Sequence, residues 1–183
     1  MYIMHPFVVD NPDKHNKSQS THDLFKTKAF RQGISFGVVS SAMTVLGISL
    51  GVWSSAGKLR AIVASIIGLS ISNSLADAFS IYMSDTATEK SGHPLVSAGV
   101  TAAVEFVFPF LFLLPFLTLK LKTAVIVNAI IGIILVASTG LYVARLNKHS
   151  TSQTVKDISL YIGITLAIMA LTFVGGKLVN TFV

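Results

Sequence analysis

Two acids stand inside long apolar runs of this 183-residue chain, Asp77 and Glu105. No Lys or Arg shares either run, so neither acid has an ion-pair partner on its own segment. A carboxylate at membrane depth is costly and marks an ion or proton path by default. Two such groups can keep their protons, or they can share a cation. A site that passes between those two states is a proton-coupled cation site. Hard oxygen ligands suit Mn²⁺, Fe²⁺, Mg²⁺ or Ca²⁺ better than Cu⁺.

Around Asp77 the spacing is helical. At about 100° per residue, Ser70, Asn73, Asp77, Ser80 and Ser84 fall within about 80° of one another. A polar stripe centred on a carboxylate must face a bundle interior or a wet cavity. For the serines alone, bonding between helices is the favoured reading, and Asp77 carries the functional one. Upstream, Gly33, Gly37, Ser40, Thr44, Gly47 and Gly51 form a small-residue face, with two small-xxx-small pairs suited to close helix contact. Ser40, Ser41 and Thr44 add oxygens that an ion could use. Met43 and Met83 are candidate soft ligands for Fe²⁺, with plain packing as the alternative. Pro109 and Pro115 each remove a helical hydrogen bond and can kink their segment, freeing carbonyls to line a cavity. Asp85, Glu89 and His93 recur every fourth residue. On a continuous helix they would share a face and collect cations at a cytosolic entrance, although Gly92 and Pro94 predict that the helix stops before them.

The elements that hold these residues follow from composition. Apolar residues make up 52% of the chain and charged ones 12%, about half the charge of an ordinary soluble domain. Eight acids and fourteen bases give a formal charge of +6, but the bases are scattered, which argues against nucleic-acid binding. There is no cysteine, so disulfides and thiolate chemistry are excluded. No nucleophile–base arrangement or phosphate loop is present, and an enzyme is not expected.

Residues 1–32 read as a cytosolic polar tail whose end, Asp23 to Arg31, could form an amphipathic helix on the membrane surface. Five apolar segments follow, at 33–53, 61–84, 95–119, 123–144 and 158–176. Each is close to the ~20 residues that cross a ~30 Å hydrocarbon layer as a helix. Barrel strands would be half as long and would alternate. The expected fold is therefore an all-α integral membrane protein with five transmembrane helices. With the N-terminus cytosolic, the inner side holds Lys14, Lys17, Lys26, Lys28, Arg31, Lys90, Arg145, Lys148 and Lys156, and the outer side Lys58, Arg60, Lys120, Lys122 and Lys177. That excess favours N-in and C-out.

The run NSLADAFSIYMSDTATEK at 73–90 resembles the second-helix signature of the vacuolar iron transporter family, with Asn73, Ala76, Asp77, Ala78, Ser80 and Asp85 at matching positions. GVVSSAMT at 37–44 resembles that family's Gly-x-x-Asp-Gly-x-x-Thr through Gly37 and Thr44. EFVFPFLFLLPF at 105–116 is similar to its Phe-containing segment, through Phe106, Leu113, Leu114, Pro115 and Phe116. The resemblance spans about residues 31–183. It implies a homodimer with an ion path between subunits, and export of Fe²⁺ or Mn²⁺ from the cytosol, into a vacuole-like compartment or across the plasma membrane, in exchange for protons. The chain departs from the family in several places. The first-helix Asp and the Gly after it are Ser40 and Ser41, and the Met after Ser80 is Ile81. Ser84 and Thr86 replace a Gly and a Tyr. Only residues 85–94 stand where the family has a Glu-rich cytosolic metal-binding region, making this a minimal form. Glu105 lies outside the signature and could replace the lost Asp. Two other readings stay open: a transport-inactive member with a structural or regulatory role, and a passive cation channel.

Overall fold

A computed structural model describes residues 27–88 and 92–182. Five helices account for nearly all of them: α1 Lys28–Ser55, α2 Leu59–Thr88, α3 Pro94–Thr118, α4 Leu121–Leu146 and α5 Thr151–Phe182. No strand occurs among the described residues. All five are long and apolar enough to cross a membrane, where backbone groups must be satisfied within the helix itself.

The helices outrun the apolar segments at nearly every end, because helical hydrogen bonding does not stop where lipid does. α2 is helical through Thr88, four residues beyond the apolar run, and α5 begins at Thr151, seven residues before it. Only α3 stops slightly short, with Leu119 as its C-cap. The tail needs a correction as well. Thr27 caps α1, its hydroxyl accepting from the Phe30 N–H at 3.2 Å, so Lys28–Gln32 form the first turns of α1 and not a separate surface helix. Asp23 to Lys26, like Glu89, lie outside the described residues. Gly57 (φ +60°) and Gly92 (φ +72°) take the left-handed backbone at the α1–α2 and α2–α3 turns, which glycine adopts without steric cost.

α1 packs against all four other helices, while α2 leans mainly on α3 and α5 mainly on α1. Small residues make this central place possible. A Cβ on Gly33 would fall 2.7 Å from the Ser97 carbonyl, and one on Gly37 would fall 2.9 Å from Val104, so both glycines press against α3. Gly47 and Gly51 instead meet Ile168 and Thr172 of α5. The single small-residue face is thus divided between two partners, because α3 crosses its first half and α5 its second. The main apolar core lies toward the α1 C-terminus, where Val45, Leu46, Ile62, Ile66, Phe112, Phe116, Val125 and Val136 pack together.

Candidate functional site

Ser40, Asp77 and Glu105 all sit near the middle of their helices, and they meet. The Ser40 hydroxyl donates to Asp77 Oδ2 at 2.9 Å. The Glu105 carboxyl is close enough to interact with both Ser40 and Asp77. Glu105 is 2% exposed and neither of its oxygens has a hydrogen-bond partner. A buried carboxyl without partners is rare in folded proteins and calls for a missing water, proton or ion.

Beside it lies a cavity of about 10 Å³ lined by Ser41, Thr44, Ser70, Asn73, Glu105 and Pro109 together with Val45, Ile48, Ile66 and Leu69. That is room for about one water or one bare ion. The Asn73 amide reaches Thr44 Oγ1 at 3.5 Å. Ser70 donates to the Ile66 carbonyl at 2.7 Å, leaving its lone pairs to the cavity. Ser41 Oγ is buried with no partner. The donors are therefore hydroxyls, an amide and a carboxyl. Among the described residues no three His, Asp or Glu side chains come together, so any cation here relies on neutral oxygens to complete its shell.

From this centre a polar line runs to one end of the bundle. On α3, Ser97, Thr101, Glu105 and Pro109 recur every fourth residue and all are buried. Thr101 Oγ1 has no partner. At the end, Asp85 is 1% exposed. It accepts from Gln32 Nε2 at 2.9 Å and from the Ser97 hydroxyl, which ties α1, α2 and α3 together. Asp85 also borders an open cleft of about 370 Å³ with Thr86, Gly92 and Pro94.

Several expected site residues lie elsewhere. The buried line of α2 steps by four, through Ile62, Ile66, Ser70 and Ser74, then Ile81 and Asp85. Each such step turns 400°, 40° past a full turn, so the inward face rotates away from a straight stripe. Ser80 and Ser84 consequently point out of the chain, and Ser80 donates to its own Ala76 carbonyl at 2.8 Å. Met83 is likewise exposed. Met43 packs against the core and borders grooves toward α5 and α4, the latter shared with Ser40. Asp85 and His93 share no helix face, because Gly92 takes the left-handed backbone between them and His93 is the N-cap of α3. Gln32, Ser97, Thr101 and Asn128 were not anticipated. The four-residue spacing of Ser97, Thr101 and Glu105 is the sequence signal for two of them. Asn128, fully buried on α4, donates to the Phe112 carbonyl at 2.9 Å.

No protein-family model matches the chain, and neither a curated protein nor a solved structure matches it significantly.

Proposed function

We propose that the chain is a proton-coupled carrier of a hard divalent cation, Mn²⁺ or Fe²⁺ foremost, that moves its cargo out of the cytosol. One observation carries this reading: Asp77 and Glu105 converge with Ser40 at mid-helix depth, and Glu105 borders a one-ion cavity where Ser41, Thr44, Ser70 and Asn73 stand among apolar side chains. Neither acid makes an ion pair among the described residues, so a proton or a cation must balance each charge. Proton and metal then compete for the same oxygens, and low pH weakens metal binding. Asp85 and the Ser97–Thr101 line form the cytosolic approach. Ser40 acts here as a neutral oxygen and holds Asp77 in place. The similarity of residues 73–90 to the vacuolar iron transporter signature supports the same cargo and an N-in orientation. A homodimer belongs to this reading, because half-buried Asp77 and outward Ser80 and Ser84 would otherwise meet lipid.

The test is Fe²⁺ and Mn²⁺ flux into proteoliposomes under an imposed pH gradient, wild type beside Asp77→Asn. Metal should move uphill in exchange for protons flowing down their gradient, and the variant should lose at least about tenfold of that flux. Flux indifferent to the proton gradient would identify a channel. Absence of flux for both metals, from protein shown to be folded, would leave a structural or regulatory role, the reading that the Ser at position 40 favours.

A further inference from the structure

Building on the cation site just proposed, we infer that the backbone carbonyl of Glu105, freed by Pro109, is itself a cation ligand. In a helix the carbonyl of residue 105 accepts from the N–H of residue 109. Proline has no N–H, and its ring pushes against that carbonyl. α3 nevertheless runs unbroken from Pro94 to Thr118, so the helix does not unwind to relieve it. Lipid offers no donor in compensation. The group needs an electropositive neighbour from inside the bundle, and Glu105 and Pro109 both line the one-ion cavity.

The second proline of the same helix makes a contrast. Pro115 frees the carbonyl of Leu111, a residue on the outer face at 48% exposure. Asn128 donates to the adjacent Phe112 carbonyl from α4. Among the described residues no side-chain hydrogen bond reaches the Glu105 carbonyl, although Ser41 and Asn73 line the same cavity. The neighbours there include the Ser41 hydroxyl and the Glu105 carboxyl, neither in a well-aligned hydrogen bond, and their lone pairs suit a positive ion. Main-chain carbonyls at broken or bent helices coordinate cations in membrane carriers generally. Glu105 thus holds the cargo twice, through a carboxylate that exchanges protons and a carbonyl that does not. The carbonyl adds affinity independent of pH, and it selects for an ion small and hard enough to enter without its water shell.

Equilibrium binding of Mn²⁺ to the purified full chain in nanodiscs, read across pH, tests this with Pro109→Ala beside Pro115→Ala. Alanine at position 109 restores the helical N–H and recaptures the carbonyl. We expect about tenfold weaker Mn²⁺ binding, the scale of a lost supporting contact at a metal site, with the pH midpoint unchanged. Pro115→Ala should stay within about twofold. Equal losses in the two variants, or no loss in Pro109→Ala, would overturn the inference while leaving the cation site standing. Folded wild type that binds no Mn²⁺ at all would overturn both. An independent readout leaves Pro109 in place. Glu89 and Glu105 are the only glutamates in the chain, so 1-¹³C-glutamate in a Glu89→Gln background labels the Glu105 carbonyl alone. Its infrared band should shift when Mn²⁺ is added, and an unmoved band would refute the assignment.

Discussion

The two halves of this bundle use the same three helices for opposite purposes. Toward the α1 N-terminus, α1, α2 and α3 meet through Gln32, Asp85, Ser97, Thr101, Ser40, Asp77 and Glu105. Toward the α1 C-terminus they meet through Leu46, Ile62, Ile66, Phe112 and Phe116. The boundary falls at Pro109, where the polar row of α3 ends and the aromatic row begins. One half offers hydrogen-bonding groups, several of them unpartnered, and the other seals. A one-sided approach to a central site, with a dry barrier behind it, is the arrangement a carrier needs and an open pore lacks. On the function proposed above, the apolar half governs stability and the polar half governs ion movement.

The sharpest way to break this comparison is Phe112→Ala. In lipid the transfer part of a core truncation is largely lost, because the unpacked side chain meets acyl chains and not water. The cavity part remains. Roughly 100 Å³ of lost volume at about 24 cal/mol per Å³ predicts a destabilisation of about 2 kcal/mol, seen in thermal unfolding of the purified protein. A much smaller change would mean that the apolar half does not hold the bundle together. Thr101→Val should do the opposite. It removes a buried hydroxyl that has no partner, so stability should hold or rise by about 1 kcal/mol. Cation flux should drop a few-fold, and flux at the wild-type level would take Thr101 off the path. Ser80→Ala is the smallest perturbation, because its hydroxyl already bonds to its own helix. Stability and flux should both stay within experimental scatter. A flux defect there would bring the outward face of α2 into the pathway and weaken the contrast drawn above.

Five spans were legible because lipid leaves the backbone few choices and the sequence must then show long apolar runs. Asp77 and Glu105 were legible for a related reason: an isolated charge in such a run is conspicuous. Ser97 and Thr101 were not, since single hydroxyls in membrane helices are common and mostly inert. Only their register with Glu105 sets them apart. Ser80 faces out of the single chain because the contact line winds around α2, which a straight helical wheel ignores. The burial of Asp85 depended on Gln32, 53 positions away, and no local pattern encodes a pairing of that range. The division of the α1 glycines between α3 and α5 was hidden similarly, because small residues announce a close approach without saying to what.

The central place of α1 has a consequence for how the protein is made. Its lower half waits for α5, the last of the five helices to be synthesised, and Gly51 closes against Thr172 only then. Until that moment the newly inserted α1 shows lipid a face of glycines, serines and a threonine. A nascent chain interrupted before α5 would keep that face uncovered, the kind of surface by which membrane chaperones and proteases tell unfinished proteins from complete ones.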